Sequence, residues 1–153
     1  MLLLVFQLGD NRCGVDAGRV VEVVPLVGIE PAVAAPPGIT GIFRYRGRFV
    51  PVADLSERLL GRPAAQRLST RIVLITVSGD GGRFLLGLAL ENATSTIRCN
   101  PAELVPPAVG SSEHPWLGSI FVDDNGPIRL IDVDRLITAD VCRLLCPAPA
   151  ELA

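Results

Sequence analysis

Apolar positions in this chain gather into short runs that stop at glycine, proline or Asp/Asn, the punctuation of β structure rather than of long helices. Leu3-Leu4-Val5-Phe6-Gln7-Leu8 ends at Gly9-Asp10-Asn11, and Ile72-Val73-Leu74-Ile75-Thr76-Val77 ends at Gly79-Asp80-Gly81-Gly82. Glycine, Asp and Asn tolerate positive φ, so both breaks are expected to be hairpin turns. A returning strand follows each, at Cys13-Gly14-Val15 and at Phe84-Leu85-Leu86-Gly87-Leu88. Further along, the stretch from Gly41 to Asp54 has a counterpart from Gly118 to Asp132: a strand, a glycine turn, a second strand and an Asp able to cap a helix. The chain thus repeats itself at an offset of roughly seventy to eighty residues, the mark of a duplicated unit.

Two helices interrupt this pattern. The first is short: Asp54 is its N-cap, Glu57 stands three residues on, Leu55 and Leu59 share a face, and Gly61 ends it. The second is expected from Val133 to Leu145, where Val133, Leu136, Ile137, Val141, Leu144 and Leu145 recur at helical spacing between Asp132 or Asp134 and Pro147. Its apolar stripe fits ordinary packing on the β structure better than a partner-binding helix. Proline-rich connections at 30–38 and 101–107, matched in position within the two halves, break β pairing. The expected fold is all-β: two small antiparallel barrels with short helices and a C-terminal helix, rather than one sandwich or an α/β sheet.

Composition bounds the function. With 153 residues, 49% hydrophobic and 20% charged, the chain can bury a real core and is not expected to be disordered. Fourteen cations, all Arg, face sixteen acids for a net charge of −2, so no global positive field favours nucleic acid or anionic lipid. The all-Arg usage fits a GC-rich coding bias as well as a need for planar guanidinium contacts. Cys13, Cys99, Cys142 and Cys146 lack metal-knuckle spacing and the single histidine, His114, is distant, so buried thiols in a reducing cytosol are expected. The apolar opening is short, lacks a basic flank and runs into Gly9-Asp10-Asn11-Arg12, which reads as a first strand and not as a signal peptide or membrane span.

Catalytic constellations are not evident. No Walker loop or dinucleotide fingerprint occurs, and the glycine-rich 79–82 segment joins two strands rather than opening a helix. His114 sits between Glu113 and Pro115-Trp116, as in a structured loop. Asp123 and Asp124 are strand neighbours that face opposite ways just before Asn125-Gly126, which fits a solvated turn better than a carboxylate pair. No enzyme, cofactor or metal is expected.

From Val5 to about Leu145 the chain resembles the CheW-like coupling proteins. Phe6-Gln7-Leu8-Gly9-Asp10, Gly14-Val15-Asp16 and Val20-Val21-Glu22-Val23-Val24 are similar to the family's opening strands. More specific is Gly41-Ile42-Phe43-Arg44-Tyr45-Arg46-Gly47-Arg48-Phe49-Val50-Pro51-Val52-Ala53-Asp54-Leu55, which matches the signature Gly-x-x-x-x-Arg-Gly-x-x-x-Pro-x-x-Asp-Leu. Gly118 and Leu130-Ile131-Asp132 match in kind. The chain departs from the family at Leu88-Ala89-Leu90-Glu91-Asn92-Ala93, where many members carry Val-Asp-x-Val, and at Arg44-Tyr45, where Asn-Leu often stands.

The resemblance implies one domain over 1–153 made of two five-stranded barrels, the first over about 1–66 and the second over about 67–130, with a C-terminal helix over about 132–146. It implies a non-enzymatic adaptor that binds the cytoplasmic tip of a methyl-accepting chemoreceptor and the regulatory domain of a CheA-type histidine kinase. Such a protein is cytoplasmic, recruited to membrane-associated receptor arrays without inserting. The departures leave open a surface-sensing Wsp-type or pilus-motility relay instead of flagellar steering. Partner contacts would fall on Val20, Glu22, Val23, Gly41, Arg46, Phe49 and Gly118, with Glu22 bridged to Arg46. Val20 and Val23 have opposite parity on a strand, so at least one is expected in the core. The rival reading is a nucleic-acid-binding small barrel using Arg44, Tyr45, Arg46 and Phe49. Strict alternation weakens it, by putting Arg44, Arg46 and Arg48 on one face and Tyr45 and Phe49 on the other.

Overall fold

The computed structural model describes residues 1–137 except 27, 32, 80, 81 and 108–113. Among these, the strands are β1 (Leu2–Leu8), β2 (Asn11–Asp16), β3 (Val20–Pro25), β4 (Ile29–Pro31), β5 (Gly41–Tyr45), β6 (Arg48–Asp54), β7 (Arg71–Gly79), β8 (Gly82–Arg98), β9 (Leu117–Asp123) and β10 (Gly126–Ile131). One α-helix, α1 (Leu55–Leu60), and single 3-10 turns at Ala17–Arg19, Pro101–Glu103 and Val133–Arg135 complete the described elements. The protein is mostly β, as its punctuation predicts. The Val133–Arg135 turn stands where the C-terminal helix was expected to begin; the rest of that segment beyond residue 137, with Cys142 and Cys146, lies outside the described residues, as do 80 and 81 of the second hairpin turn.

The strands form two β subdomains that share β8. In one, the order is β9-β10-β2-β1 followed by the far half of β8; in the other it is β3-β7, the near half of β8, then β6-β5-β4. The pairing exchanges hairpins between the repeats. The opening hairpin β1–β2 lies with β9 and β10 of the second repeat, while β7 and the start of β8 lie with β3 to β6 of the first. The third strands cross over in the same way: β3 pairs with β7, Val23 opposite Val73, and residues 95–98 of β8 pair with β1, Leu3 opposite Ile97. Each subdomain therefore draws strands from both sides of residue 66, and the two interleave in sequence instead of following one another.

Two parallel pairs complete the exchange, β6 with β8 and β10 with β2. At each, the returning strand carries a glycine at the same position of the repeat. A Cβ on Gly87 would stand 3.1 Å from Ile72 Cγ2 and 3.3 Å from Val52 Cγ2, and one on Gly14 3.3 Å from Ile128 Cγ2. The close approach of neighbouring side chains explains the residue at both places.

Burial follows the repeat too. A central cluster holds Leu4 and Phe6 of β1, Val73 and Ile75 of β7, Leu86 and Leu88 of β8, and Trp116. Leu3 and Val5 turn the other way, onto Phe121 and Ile128, and Ile72 and Leu74 likewise onto Phe43, Val50 and Val52. The first strand of each repeat is thus buried on both faces, so its sequence is a continuous apolar run and not an alternation. Each such side chain contributes about 1.5–3 kcal/mol on leaving water. Strand β8 changes subdomain near Asn92, whose φ of 52° is left-handed and whose Nδ2 donates to Gln7 Oε1 at 2.7 Å. Asn is among the few side chains that adopt this conformation readily.

Two local features go beyond what residue counting predicts. On β3 the register shifts between Val20 and Glu22, a bulge that leaves Val21 half exposed and resets the parity. Val20 and Val23 consequently both pack against the central cluster. Asp123 lies at the β9–β10 turn as expected, accepting from the Asn125 amide at 2.8 Å, and in addition accepts a two-pronged bond from Arg12, Nη1 to Oδ1 at 2.7 Å and Nη2 to Oδ2 at 2.9 Å. The pair ties β2 to β9 across β10. Arg12, with help from the Asn125 amide, holds the Asp123 carboxyl at a pKa of about 2.

Two outcomes follow from this architecture. Fragments cut between residues 66 and 67 should each lack cooperative unfolding alone, because each lacks strands its subdomain needs. Mixed, they should recover the β circular-dichroism spectrum as an equimolar complex; a cooperative transition in either fragment by itself would refute the exchange. The depressed Asp123 pKa means that its stabilisation is complete above about pH 4 and lost as pH falls through about 2. Asp123→Asn should therefore melt a few degrees below wild type near neutrality, for a partly exposed pair of about 1 kcal/mol at most, and the gap should close in acid. A gap constant from pH 6 to 2 would show that the charge is not its source.

Candidate partner-binding site

The signature segment is chiefly a set of folding instructions. Gly41 begins β5 against β4, and a Cβ there would lie 2.6 Å from the Glu30 carbonyl oxygen and 2.7 Å from Ile29 Cγ2. Arg46 and Gly47 form the two-residue turn between β5 and β6, with φ of 49° and 78°, both left-handed as a type I′ hairpin turn needs. Asp54 is buried and caps α1: Oδ1 accepts from the amides of Ser56 at 3.0 Å and Glu57 at 3.3 Å, and Oδ2 from the amide of Ala64 at 2.8 Å. Gly61, at φ 73°, closes the helix, and Leu55 after the cap is fully buried.

The departure at Glu91-Asn92 has a local explanation as well. Glu91 accepts from the Ala65 amide at 3.0 Å and from Ser56 Oγ at 3.4 Å, so it holds the 61–66 connection against β8.

With that structural work assigned, the candidate residues separate. Glu22 and Arg46 do meet, Oε1 to Nη2 at 3.7 Å, on side chains that are 38% and 74% exposed. Tyr45 joins them: its hydroxyl hydrogen-bonds Glu22, which holds its pKa above the ordinary phenol range, and the Arg46 guanidinium lies 5.3 Å from its ring centroid. Tyr45 also stacks on Phe43 at 6.4 Å. Glu22, Tyr45 and Arg46 thus form one polar rim over the core of their subdomain. Tyr45 was expected only in the rival nucleic-acid reading and not among the partner contacts; the two-residue turn, once recognised, would have placed it beside Arg46.

The others lie elsewhere. Val20 and Val23 are partly buried against the central cluster and are not part of the rim, whose Tyr45 packs on the cluster of Phe43, Val50 and Val52. Gly118 belongs to the other subdomain, on β9, where a Cβ would stand 3.2 Å from the Leu130 carbonyl oxygen. Phe49 is 68% exposed, and the register sets it opposite Arg44, with Tyr45 opposite Arg48. The expected alternation is therefore wrong: Arg46 is a turn residue, and Arg44 and Phe49 share the outer face of the hairpin while Tyr45 and Arg48 take the inner one.

Elsewhere the surface offers an open groove of about 240 Å³ lined by Leu8, Leu59, Leu117, Ile120, Arg12 and Arg129. Cys13 forms part of its wall, but burial pushes that thiol up to about 12, so it stays protonated and un-nucleophilic at neutral pH. No cluster of His, Cys, Asp and Glu among the described residues could hold a metal ion, and no described helix is long and apolar enough to cross a membrane.

The fold is thus two interleaved β subdomains that share β8, one of them carrying the Glu22–Tyr45–Arg46 rim. The CheW-like domain model matches residues 2–141, and the chain belongs to that family. It is 30% identical over 136 residues to protein FrzA of Myxococcus xanthus, covering 86% of this chain and 82% of that one. It is 36% identical over 62 residues to the chemotaxis protein CheW of Treponema pallidum, covering 40% of this chain and 36% of that one. The crystal structure of the scaffolding protein TtCheW from Thermoanaerobacter tengcongensis superposes with a TM-score of 0.76 at 25% identity, over 90% of this chain and 89% of that chain. The chain is accordingly a CheW-like protein of chemotaxis-type signalling.

Gly41→Ala tests the separation of fold from contact. The clash with the Glu30 backbone should cost about 1–3 kcal/mol and lower the melting temperature by about 3–10 °C. A variant that melts like wild type yet loses a partner would move Gly41 from the fold to the contact surface.

Proposed function

We propose that this chain is a non-enzymatic coupling protein that binds the cytoplasmic tip of a methyl-accepting chemoreceptor and the regulatory domain of a CheA-type histidine kinase. On this reading it is cytoplasmic and joins membrane-associated arrays through those partners. The observation that carries the proposal is the Glu22–Tyr45–Arg46 rim, a preorganised and solvent-facing cluster in a family-length domain whose signature residues are otherwise occupied in folding. An exposed ion pair of this length adds about 0–1 kcal/mol to stability, too little to account for the placement by folding alone. Glu22 and the Tyr45 ring lie beside the exposed guanidinium, so a partner meets a cation whose donors remain free for its own carboxylate.

Co-sedimentation with a receptor cytoplasmic fragment, together with receptor-dependent kinase autophosphorylation, tests the proposal. Arg46→Glu should leave the melting temperature within about 2 °C of wild type and impair both assays. Adding Glu22→Arg should restore part of the loss, by re-forming the pair with its charges reversed. Normal coupling by the single variant, or failure only through unfolding, would remove the rim from the binding surface.

A further inference from the structure

The turn between β9 and β10 places the chain's one Asn-Gly pair in solvent. Of the four asparagines, Asn11 precedes Arg12 on β2, Asn92 precedes Ala93 and donates its side-chain amide to Gln7, and Asn100 precedes Pro101, whose nitrogen carries no hydrogen. Asn125 alone precedes glycine. It is exposed, and Gly126 follows at φ 115° with nothing within 4 Å of the place a Cβ would occupy. An unshielded main-chain nitrogen therefore stands next to an exposed side-chain amide, the pair of groups that cyclises in asparaginyl-glycine sequences.

The same turn holds that nitrogen in check. Asp123 accepts from the Asn125 amide at 2.8 Å and from the Gly126 amide, while Arg12 fixes both of its oxygens, at 2.7 and 2.9 Å. A carboxylate facing the Gly126 N–H makes the nitrogen harder to deprotonate, because a second negative charge would form against the first.

We propose that Asn125 is a site of spontaneous deamidation, and that Asp123, held in place by Arg12, slows the reaction. The Gly126 nitrogen gives its proton to solvent base and attacks Asn125 Cγ. The bond from Cγ to the side-chain nitrogen breaks, and that nitrogen takes a proton from water and leaves as ammonia, closing a five-membered succinimide. Water then opens the ring at either carbonyl, giving an aspartyl or an isoaspartyl residue at 125. Water is the only co-reactant, and nothing is oxidised or reduced.

The products act on the fold around them. Either one adds a carboxylate beside Asp123 and Asp124, so like charges gather in a turn served by one arginine. The isoaspartyl form also carries the main chain through Cβ, adding a carbon between the Asn125 Cα and the Gly126 nitrogen. That extra length takes Gly126 out of its pairing with Asp123 and loosens the Arg12–Asp123 tie between β2 and β9.

The test incubates the full chain in mildly alkaline buffer, folded and in denaturant, and maps its peptides by mass and chromatography, which separates aspartyl from isoaspartyl forms. Conversion should fall on Asn125 while Asn11, Asn92 and Asn100 stay intact, and Asn125→Ser should abolish it. The folded chain should convert about tenfold more slowly than the unfolded one, the effect of one charge-assisted hydrogen bond on the attacking nitrogen. Asp123→Ala should convert at close to the unfolded rate. Arg12→Gln, which keeps the carboxylate but lets it turn away, should fall between, and it carries the comparison if melting shows that Asp123→Ala does not fold. Fully converted protein should melt a few degrees below fresh protein. Conversion led by another asparagine, or a folded Asn125 still intact after about a hundred half-conversions of the unfolded chain, would overturn the site. Folded variants that convert no faster than wild type would overturn the part played by Asp123, and equal melting of fresh and converted protein would remove the effect on the Arg12–Asp123 tie.

Discussion

The exchange of hairpins between the two repeats is the constraint on which the rest of the structure depends. Because β1–β2 is built into the subdomain of β9 and β10, and β7 with the start of β8 into that of β3 to β6, neither subdomain closes until both halves of the chain are present. The crossover forces β1 and β7 to be buried on both faces. It crowds positions 14 and 87, where a Cβ would press on Ile128, Ile72 and Val52, and it makes β8 long enough to serve both sheets. The central cluster of Leu4, Phe6, Val73, Ile75, Leu86, Leu88 and Trp116 is then the joint between the repeats rather than the core of either one. Its cohesion couples the two subdomains into a single cooperative unit, which suits a protein that must hold separate surfaces at a fixed relative position.

Much of this was legible before the structure, and what was not has a common cause. Strands, turns, the first helix with its Asp54 cap and Gly61 stop, and the repeat itself are local features, written in residue type and spacing over a few positions. The exchange is not local: Val23 finds Val73 and Leu3 finds Ile97, and no pattern within either half names its partner. A continuous run such as Ile72-Val73-Leu74-Ile75 does report burial on both faces, but not against what.

The candidate site suffered from the same limit in a sharper form. Assigning faces by counting residues works only while a strand is regular. The bulge between Val20 and Glu22, and the positive φ of Arg46, each break the count within the segments that matter most. Arg46 is the instructive case, since nothing in its side chain favours a left-handed backbone. It occupies the position because the following Gly47 and the register of Tyr45 with Arg48 require a type I′ turn there. The ion pair with Glu22 was nevertheless anticipated, through family resemblance rather than parity, and Arg12–Asp123 was missed because its members are 111 residues apart with no motif around either.

A family signature that is mostly folding instruction has a consequence for how partners are chosen. Gly41, Gly47, Asp54 and Leu55 are each accounted for by a close approach, a turn, a cap or a buried side chain, so changes there would act through stability and would affect every partner alike. Specificity has to be written where the fold is indifferent. In this chain Arg44, Arg48 and Phe49 are positions of that kind: they fall between the signature residues and are exposed, Arg44 and Phe49 on one face of the hairpin and Arg48 on the other. The turn geometry guarantees their placement, and the exposed ring and guanidinium groups determine what they can meet.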